Sequence, residues 1–234
     1  MWLINSSIGR KVVMSVTGIA LILFLTFHCC MNLVALFSEE GYNMICEFLG
    51  ANWYAVVATL GLAALAVIHI VYAFILTAQN RKARGNNRYE VSTTTNSNGL
   101  LDVAERWASS NMLVLGLIIL IGLLVHLQNF WYNMMFAELA GMYTSIDPAD
   151  GFGWIKETFS HWPLVVLSLV WFCAIWFHIA HGFWSAMHTL GASGKIWQSR
   201  MQCIGLIYVS LLMLGFTVVV LAFAFGCAPS LGCC

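Results

Sequence analysis

The sequence predicts an all-α membrane protein with five transmembrane helices in a single integral domain, residues 1–234. Three observations carry that prediction. Hydrophobic residues make up 61% of the chain and charged residues only 9%, where ordinary soluble domains are about a quarter charged. Mean hydropathy is +0.84. Five windows between charged residues, 12–38, 48–80, 107–137, 158–194 and 201–226, each hold the ~20 apolar residues that cross a bilayer.

Taken in order, span one (about 12–37) follows Arg10 and Lys11. It is too long for the apolar core of a signal peptide and has no small-residue cleavage site, so it is expected to be retained. Span two (about 53–79) ends at a basic cluster, Arg81, Lys82, Arg84 and Arg88. The stretch 85–98 that follows is polar, rich in Gly, Asn and Thr and without helical periodicity, and reads as a loop. Span three (about 107–137) begins after Arg106. The connection 138–160 carries Phe152 and Trp154 and is expected to lie partly at the membrane interface, where Trp collects. Span four (about 161–190) has Pro163 near its start, a position a helix N-terminus tolerates. Span five (about 201–226) follows Lys195 and Arg200.

If the spans alternate, nine of the ten Lys and Arg residues fall on one side and Lys156 alone on the other. Glu39, Glu40, Glu47, Glu138, Asp147, Asp150 and Glu157 lie on the side poor in basic residues. Basic residues stay in the cytoplasm, so the N-terminus is expected inside and the C-terminus outside. The soluble segments are too short for a core of their own, and a formal net charge of zero offers nothing to nucleic acid. Lipid is the expected surroundings.

Ionisable side chains inside a membrane are costly and mark functional sites. Four of the seven histidines, His28, His69, His126 and His178, lie one each in the first four spans. Along a helix axis His28 lies about 27 Å beyond Arg10 and His126 about 30 Å beyond Arg106, which places both in the outer half. His69 lies about 18 Å before Arg81 and His178 about 20 Å before Gly191, which places both in the inner half. The two levels therefore differ by roughly 10 Å. Two depth-matched imidazole pairs suit two bis-histidine haem b groups, since imidazole is a good ligand for iron and two axial ligands make an electron carrier. The chain has no C-x-x-C-H, which excludes a covalently attached c-type haem. Each histidine could also be a hydrogen-bonded packing residue, and His181, one turn beyond His178, competes with it as a ligand. His161 and His188 lie at the two ends of span four. Gly18 and Gly122 could admit a flat macrocycle or simply let helices approach. Cys29, Cys30, Cys173 and Cys203 lie within spans and read as small hydrophobes. Cys227, Cys233 and Cys234 in the tail could form a disulfide in an oxidising compartment.

The run Phe177-His178-Ile179-Ala180-His181-Gly182-Phe183-Trp184-Ser185 is similar to an F-H-x-x-[HN]-G-x-W-S pattern. It belongs to the fourth helix of the cytochrome b membrane-anchor subunit of succinate:quinone oxidoreductases, the succinate dehydrogenases and fumarate reductases. Thr17-Gly18 with His28 and Asn32, Ile68-His69-Ile70-Val71-Tyr72, and Val125-His126-Leu127 resemble the other ligand neighbourhoods of the single-chain, di-haem type, and the likeness covers residues 5–226. The resemblance implies that helices one to four form a haem-binding bundle with helix five outside. It makes His178 the ligand rather than His181. It pairs His69 with His178 around a proximal haem b near the cytoplasm, and His28 with His126 around a distal one. It implies a flavoprotein subunit that interconverts succinate and fumarate, an iron–sulfur subunit docked on the cytoplasmic face, a possible dimer of such heterotrimers, and quinone, usually menaquinone, reacting near the distal haem. It implies the bacterial inner membrane as location. A glutamate between helices one and two would be the quinone's proton partner, and Glu47 occupies that region. A helix-four glutamate found just before the ligand in some fumarate reductases is replaced here by Trp176 and Phe177, so that proton route is not carried over. Three other readings stay open: an anchor for a different quinone-linked oxidoreductase, a proton-coupled transporter with a histidine relay, and a purely structural anchor without haem.

Overall fold

The computed structural model describes residues 6–85, 107–192, 194–228, 230 and 232. The loop expected at 85–98 lies outside these from residue 86 on, as do Arg88, Arg106, Cys233 and Cys234. The described residues are helices and short connections, with no strand. The elements are α1 (Ser7–Val34), α2 (Glu39–Phe48), α3 (Trp53–Arg84), α4 (Met112–His126, continued as a π-helix over Leu127–Phe136 and by Ala137–Leu139), α5 (Gly151–Ser160), α6 (Trp162–Thr189) and α7 (Lys195–Ala224). α1, α3, α4 extended to Leu139, α6 and α7 are long and apolar enough to cross a membrane. They match the five expected spans in order.

Three helices outrun their apolar windows at the basic end, α1 from Ser7, α7 from Lys195 and α3 to Arg84, whereas α1 and α7 stop short of theirs at the other end, at Val34 and Ala224. α3 continues to Arg84 through Arg81 and Lys82 before Gly85 ends it at φ 63°. Hydropathy marks where hydrocarbon ends, whereas basic residues are good helix formers. Local signals set the other ends. Ser6 accepts from Gly9 N and Ser38 from Gly41 N, both at 2.9 Å. Asp150 accepts from Gly153 N at 2.9 Å. Pro163 stands in the first turn of α6.

α1, α3, α4 and α6 neighbour one another in that cyclic order, so α1 faces α4 and α3 faces α6 across the bundle diagonals. α7 lies outside, against α1 and α6. Small residues let it approach closely: a Cβ on Gly215 would stand 2.7 Å from Cys29 Sγ, and one on Gly205 2.5 Å from Phe183. Trp176 Nε1 donates to Ser210 at 2.9 Å, and Thr26 hydrogen-bonds Tyr208. The tight core runs through α1, α6 and α7, where Val165 and Val209 are fully buried. α3 is different. No residue of its most apolar window is buried, and it touches α1 and α4 without packing tightly on α6.

Among the described residues one end of the bundle is capped and the other is not. α2 and α5, helices that hydropathy does not reveal, lie together over the cap end. Asn43 joins them by donating to Asp150 Oδ1 and accepting from Phe152 N, both at 2.8 Å. Phe152, Trp154 and Ile155 are buried, so the expected interfacial piece is a packed helix. Ser230 adds a clasp, donating from its backbone N to Leu36 O at 3.1 Å and from its hydroxyl to Ala35 O at 2.7 Å.

Candidate functional site

Each of the four spanning histidines projects toward a diagonal partner. His28 of α1 meets His126, the last residue of α4 before the π-helix, with ring centroids 5.8 Å apart and planes at 84°. His69 of α3 meets His178 of α6 at 6.3 Å and 67°. No hydrogen bond joins the rings within either pair. Metal–imidazole nitrogen distances are about 2 Å, and the ring centre lies ~1 Å behind the nitrogen, so two imidazoles on opposite faces of one metal have centroids about 6 Å apart. Both pairs stand at that separation. The spacing between levels can be read along two helices. Thr17, which contacts His69, precedes His28 on α1 by roughly 16 Å of helix axis. Trp171, which contacts His126, precedes His178 on α6 by roughly 10 Å.

In the pair away from the cap, His69 is held by Thr17. Thr17 Oγ1 donates to Val13 O at 2.9 Å and lies 3.1 Å from His69 Nδ1. When the hydroxyl proton goes to the backbone, Thr17 Oγ1 accepts from Nδ1–H, and the Nε2 lone pair of His69 is then unprotonated. That is the form a metal takes, oriented by an outer partner. Gly18 makes room for the same ring, since a Cβ there would stand 3.3 Å from His69 Cε1. Replacing Thr17 with Val keeps the shape and removes the acceptor. It is expected to weaken ligand-group affinity at this pair about 10–100-fold, read by titrating haemin into the haem-free chain; unchanged affinity would leave Thr17 a packing residue.

The pair near the cap sits among aromatic rings. Phe24 stacks on His28 at 5.6 Å and 15°, with Phe216 of α7 at 5.8 Å. His126 touches Phe130 at 5.1 Å and Trp171 at 5.6 Å. Trp171 Nε1 donates to Ile119 O at 3.0 Å, and its indole fills the space where Gly122 lacks a Cβ. Gly18 and Gly122 therefore accommodate side chains of neighbouring helices. Asn32 Nδ2 donates to His28 O at 2.8 Å, and Tyr42 of α2 donates to Asn32 Oδ1 at 3.2 Å. The π-helix begins directly after His126. There Asn129 and Asn133 donate their amides to backbone carbonyls of Val125 (2.8 Å) and Asn129 (3.0 Å). Such back-bonding competes with the i→i−4 ladder, and π-turns collect at functional sites.

His178, not His181, faces His69. His181 is turned edge-on to Trp184, centroids 5.4 Å apart. His178 Nδ1, His181 Nδ1 and Trp184 Nε1 are three buried ring nitrogens on successive turns of α6 with no hydrogen-bond partner among the described residues. Below them a cavity of about 440 Å³ opens between α1, α3 and α6, lined by Lys11, Ser15, Leu76, Trp184 and His188 among others. Of its lining, Lys11 and Trp184 are hydrogen-bond donors only, while Ser15, Ser185 and Thr189 carry hydroxyls that both donate and accept.

The remaining candidates lie elsewhere. His161 is exposed at the start of α6, 3.4 Å from Glu157. Glu47 is exposed on α2 and lines an open groove at the cap end with Glu39, Glu40, Asn43, Asp147 and Asp150. Cys29 is buried, its thiol 3.6 Å from Leu212 O, while Cys30, Cys173, Cys203 and Cys227 are exposed. Cys46 on α2 packs against Tyr42 and Gly151, and burial pushes its thiol up to about 11. Thr17, Asn32, Tyr42 and Trp171 are the site residues whose roles the sequence does not reveal. Their partners lie on other elements, and Thr and Trp are too common in membrane helices to signal a contact. Compared with protein families, with curated proteins and with solved structures, the chain finds no match.

Proposed function

We propose that the chain binds two b-type haems, one between His28 and His126 and one between His69 and His178, and serves as the membrane anchor of a succinate dehydrogenase or fumarate reductase. The single observation that carries the first half is the pair of diagonal imidazole contacts at 5.8 and 6.3 Å. Among the described residues no cluster of three or more His, Cys, Asp or Glu is placed to hold a metal ion. Two imidazoles on facing helices would hold a metal that brings its remaining ligands with it, as a haem does.

The residues fit such a group. No residue of the most apolar window of α3 is buried, and three buried ring nitrogens of α6 have no hydrogen-bond partner among the described residues. His69 and His178 would hold one iron, with Thr17 orienting His69. Lys11, Ser15 and the Trp184 indole N–H would receive the acidic edge of the same group in the cavity below. His28 and His126 would hold the second, clasped by Phe24, Phe130 and Trp171. When bound, a bis-histidine haem supplies a one-electron couple with no open coordination site. The protein's part is to keep both sites dry and to fix the two levels roughly 10–16 Å apart along the bundle.

The second half rests on the resemblance around Phe177–Ser185 and on charge. With the basic end of the bundle cytoplasmic, in a bacterial inner membrane, the His69–His178 pair faces an iron–sulfur subunit and a flavoprotein subunit. The His28–His126 pair then lies toward the outer face and quinone, menaquinone in the di-haem type. Electrons passed between the two levels would cross part of the membrane field, about 2.3 kcal/mol per charge per 100 mV over its full thickness. Glu47, exposed on the outer groove, is the proposed proton partner of the quinone. Exchanging Glu47 for Gln in the assembled complex is expected to slow menaquinol oxidation about a hundredfold with haem content unchanged. Full turnover in that variant would remove Glu47 from the role, and a complex whose haems no quinol can reduce would overturn the quinone assignment.

A further inference from the structure

We infer that Tyr42, on the cap helix α2 outside the four-helix bundle, is a positioning residue for the His28 imidazole and acts through Asn32. The inference rests on the reading of His28 as an axial ligand.

The Asn32 carboxamide is held at both ends. Its Nδ2 donates to the His28 carbonyl at 2.8 Å and stands 3.5 and 3.4 Å from Nδ1 and Nε2 of the same imidazole. A helical Asn bonding the carbonyl four residues back is ordinary; Asn129 and Asn133 do the same. What sets Asn32 apart is its oxygen, which accepts from the Tyr42 hydroxyl at 3.2 Å. That second bond fixes which way the amide is turned and presents its N–H edge to the histidine ring. Phe24, stacked on His28 at 5.6 Å, limits the ring further.

Tyr42 is in turn rigidly placed. It is 8% exposed, and burial holds its phenol well above the usual range, so it remains a donor through the physiological pH span. The next residue, Asn43, ties α2 to α5 through Asp150 and Phe152. The line Asn43–Tyr42–Asn32–His28 thus joins the cap to the bundle axis. The orientation of an axial imidazole affects both the potential and the magnetic anisotropy of a low-spin ferric haem, so the seating of the cap reaches the redox centre nearest to it.

The test uses the full-length chain in membranes and the conservative exchange Tyr42→Phe, with the haem signal lost in His28→Ala taken as that of the cap-side centre. The expected result is two haems retained, with the low-field ferric electron paramagnetic resonance signal and the midpoint potential of the cap-side centre shifted and those of the other centre unmoved. Asn32→Leu is expected to shift the same centre, and adding Tyr42→Phe to it to shift it no further, because both act through one amide. Two haems with both signatures unmoved in Tyr42→Phe would overturn the inference alone. A parent chain that binds no haem would overturn the ligand reading and the inference with it.

Discussion

Exchanging His178 for Ala is expected to leave the purified chain with one b-type haem instead of two, whereas exchanging His181 for Ala leaves both. The two side chains are one turn apart on α6 and differ in what they face. His178 meets His69 across the bundle diagonal at 6.3 Å, while His181 turns its edge to Trp184. If the pair holds an iron as proposed, removing one imidazole takes away half of the protein's ligands to it. Loss of a merely outer partner already costs about 10–100-fold in affinity, so loss of a ligand exceeds that. The haem-to-chain ratio and a reduced-minus-oxidised spectrum read the outcome. Two haems in the His178→Ala chain would show that its ring is a packing group.

Widening Gly122 to Val is expected to empty the His28–His126 site without touching any of its ligands. A Cβ at this position would overlap the Trp171 indole, whose N–H is tied to Ile119 O and whose ring contacts His126. Neither the backbone of α4 nor a hydrogen-bonded indole gives way easily, and overpacking of this kind costs about 1–3 kcal/mol. The indole it displaces is the one in contact with His126. The expected result is loss of one haem and a lower thermal midpoint. Gly116→Ala is the control: on the same helix, a Cβ there has no neighbour within 4 Å, so both haems and the midpoint are retained. An intact cap-side centre in Gly122→Val would mean that α4 and α6 can separate at no cost to the site.

How much of this the sequence carries depends on the range of each interaction. The spans are legible because hydropathy is a local property, and the pairing of the four histidines is legible because depth in a membrane can be counted from the flanking charges. That the pairs lie on diagonals follows from helix order around the bundle, which residue counting does not supply. α2 is hidden for a different reason. Its ten residues carry Glu39, Glu40, Asn43 and Glu47 on one side and bury Tyr42 on the other, so no apolar window marks it. The π-helix is equally silent, because no residue pattern over Leu127–Phe136 marks the step from i→i−4 to i→i−5 bonding. Thr17 stands beside Gly18 in a stretch the sequence does single out, yet its role depends on a ring 52 residues away. The choice between Gly122 as a cradle and as a packing site waits on Trp171, which is brought opposite it only by the fold.

The measurement that tests the central claim most directly is the haem b content of the purified full-length chain, by pyridine haemochrome against protein determined by amino-acid analysis. Two haems b per chain, both low-spin when oxidised, is the result expected if each diagonal histidine pair holds one iron. A chain that takes up no haem when supplied with it in detergent or membranes would contradict the account and return the four imidazoles to packing or proton transfer.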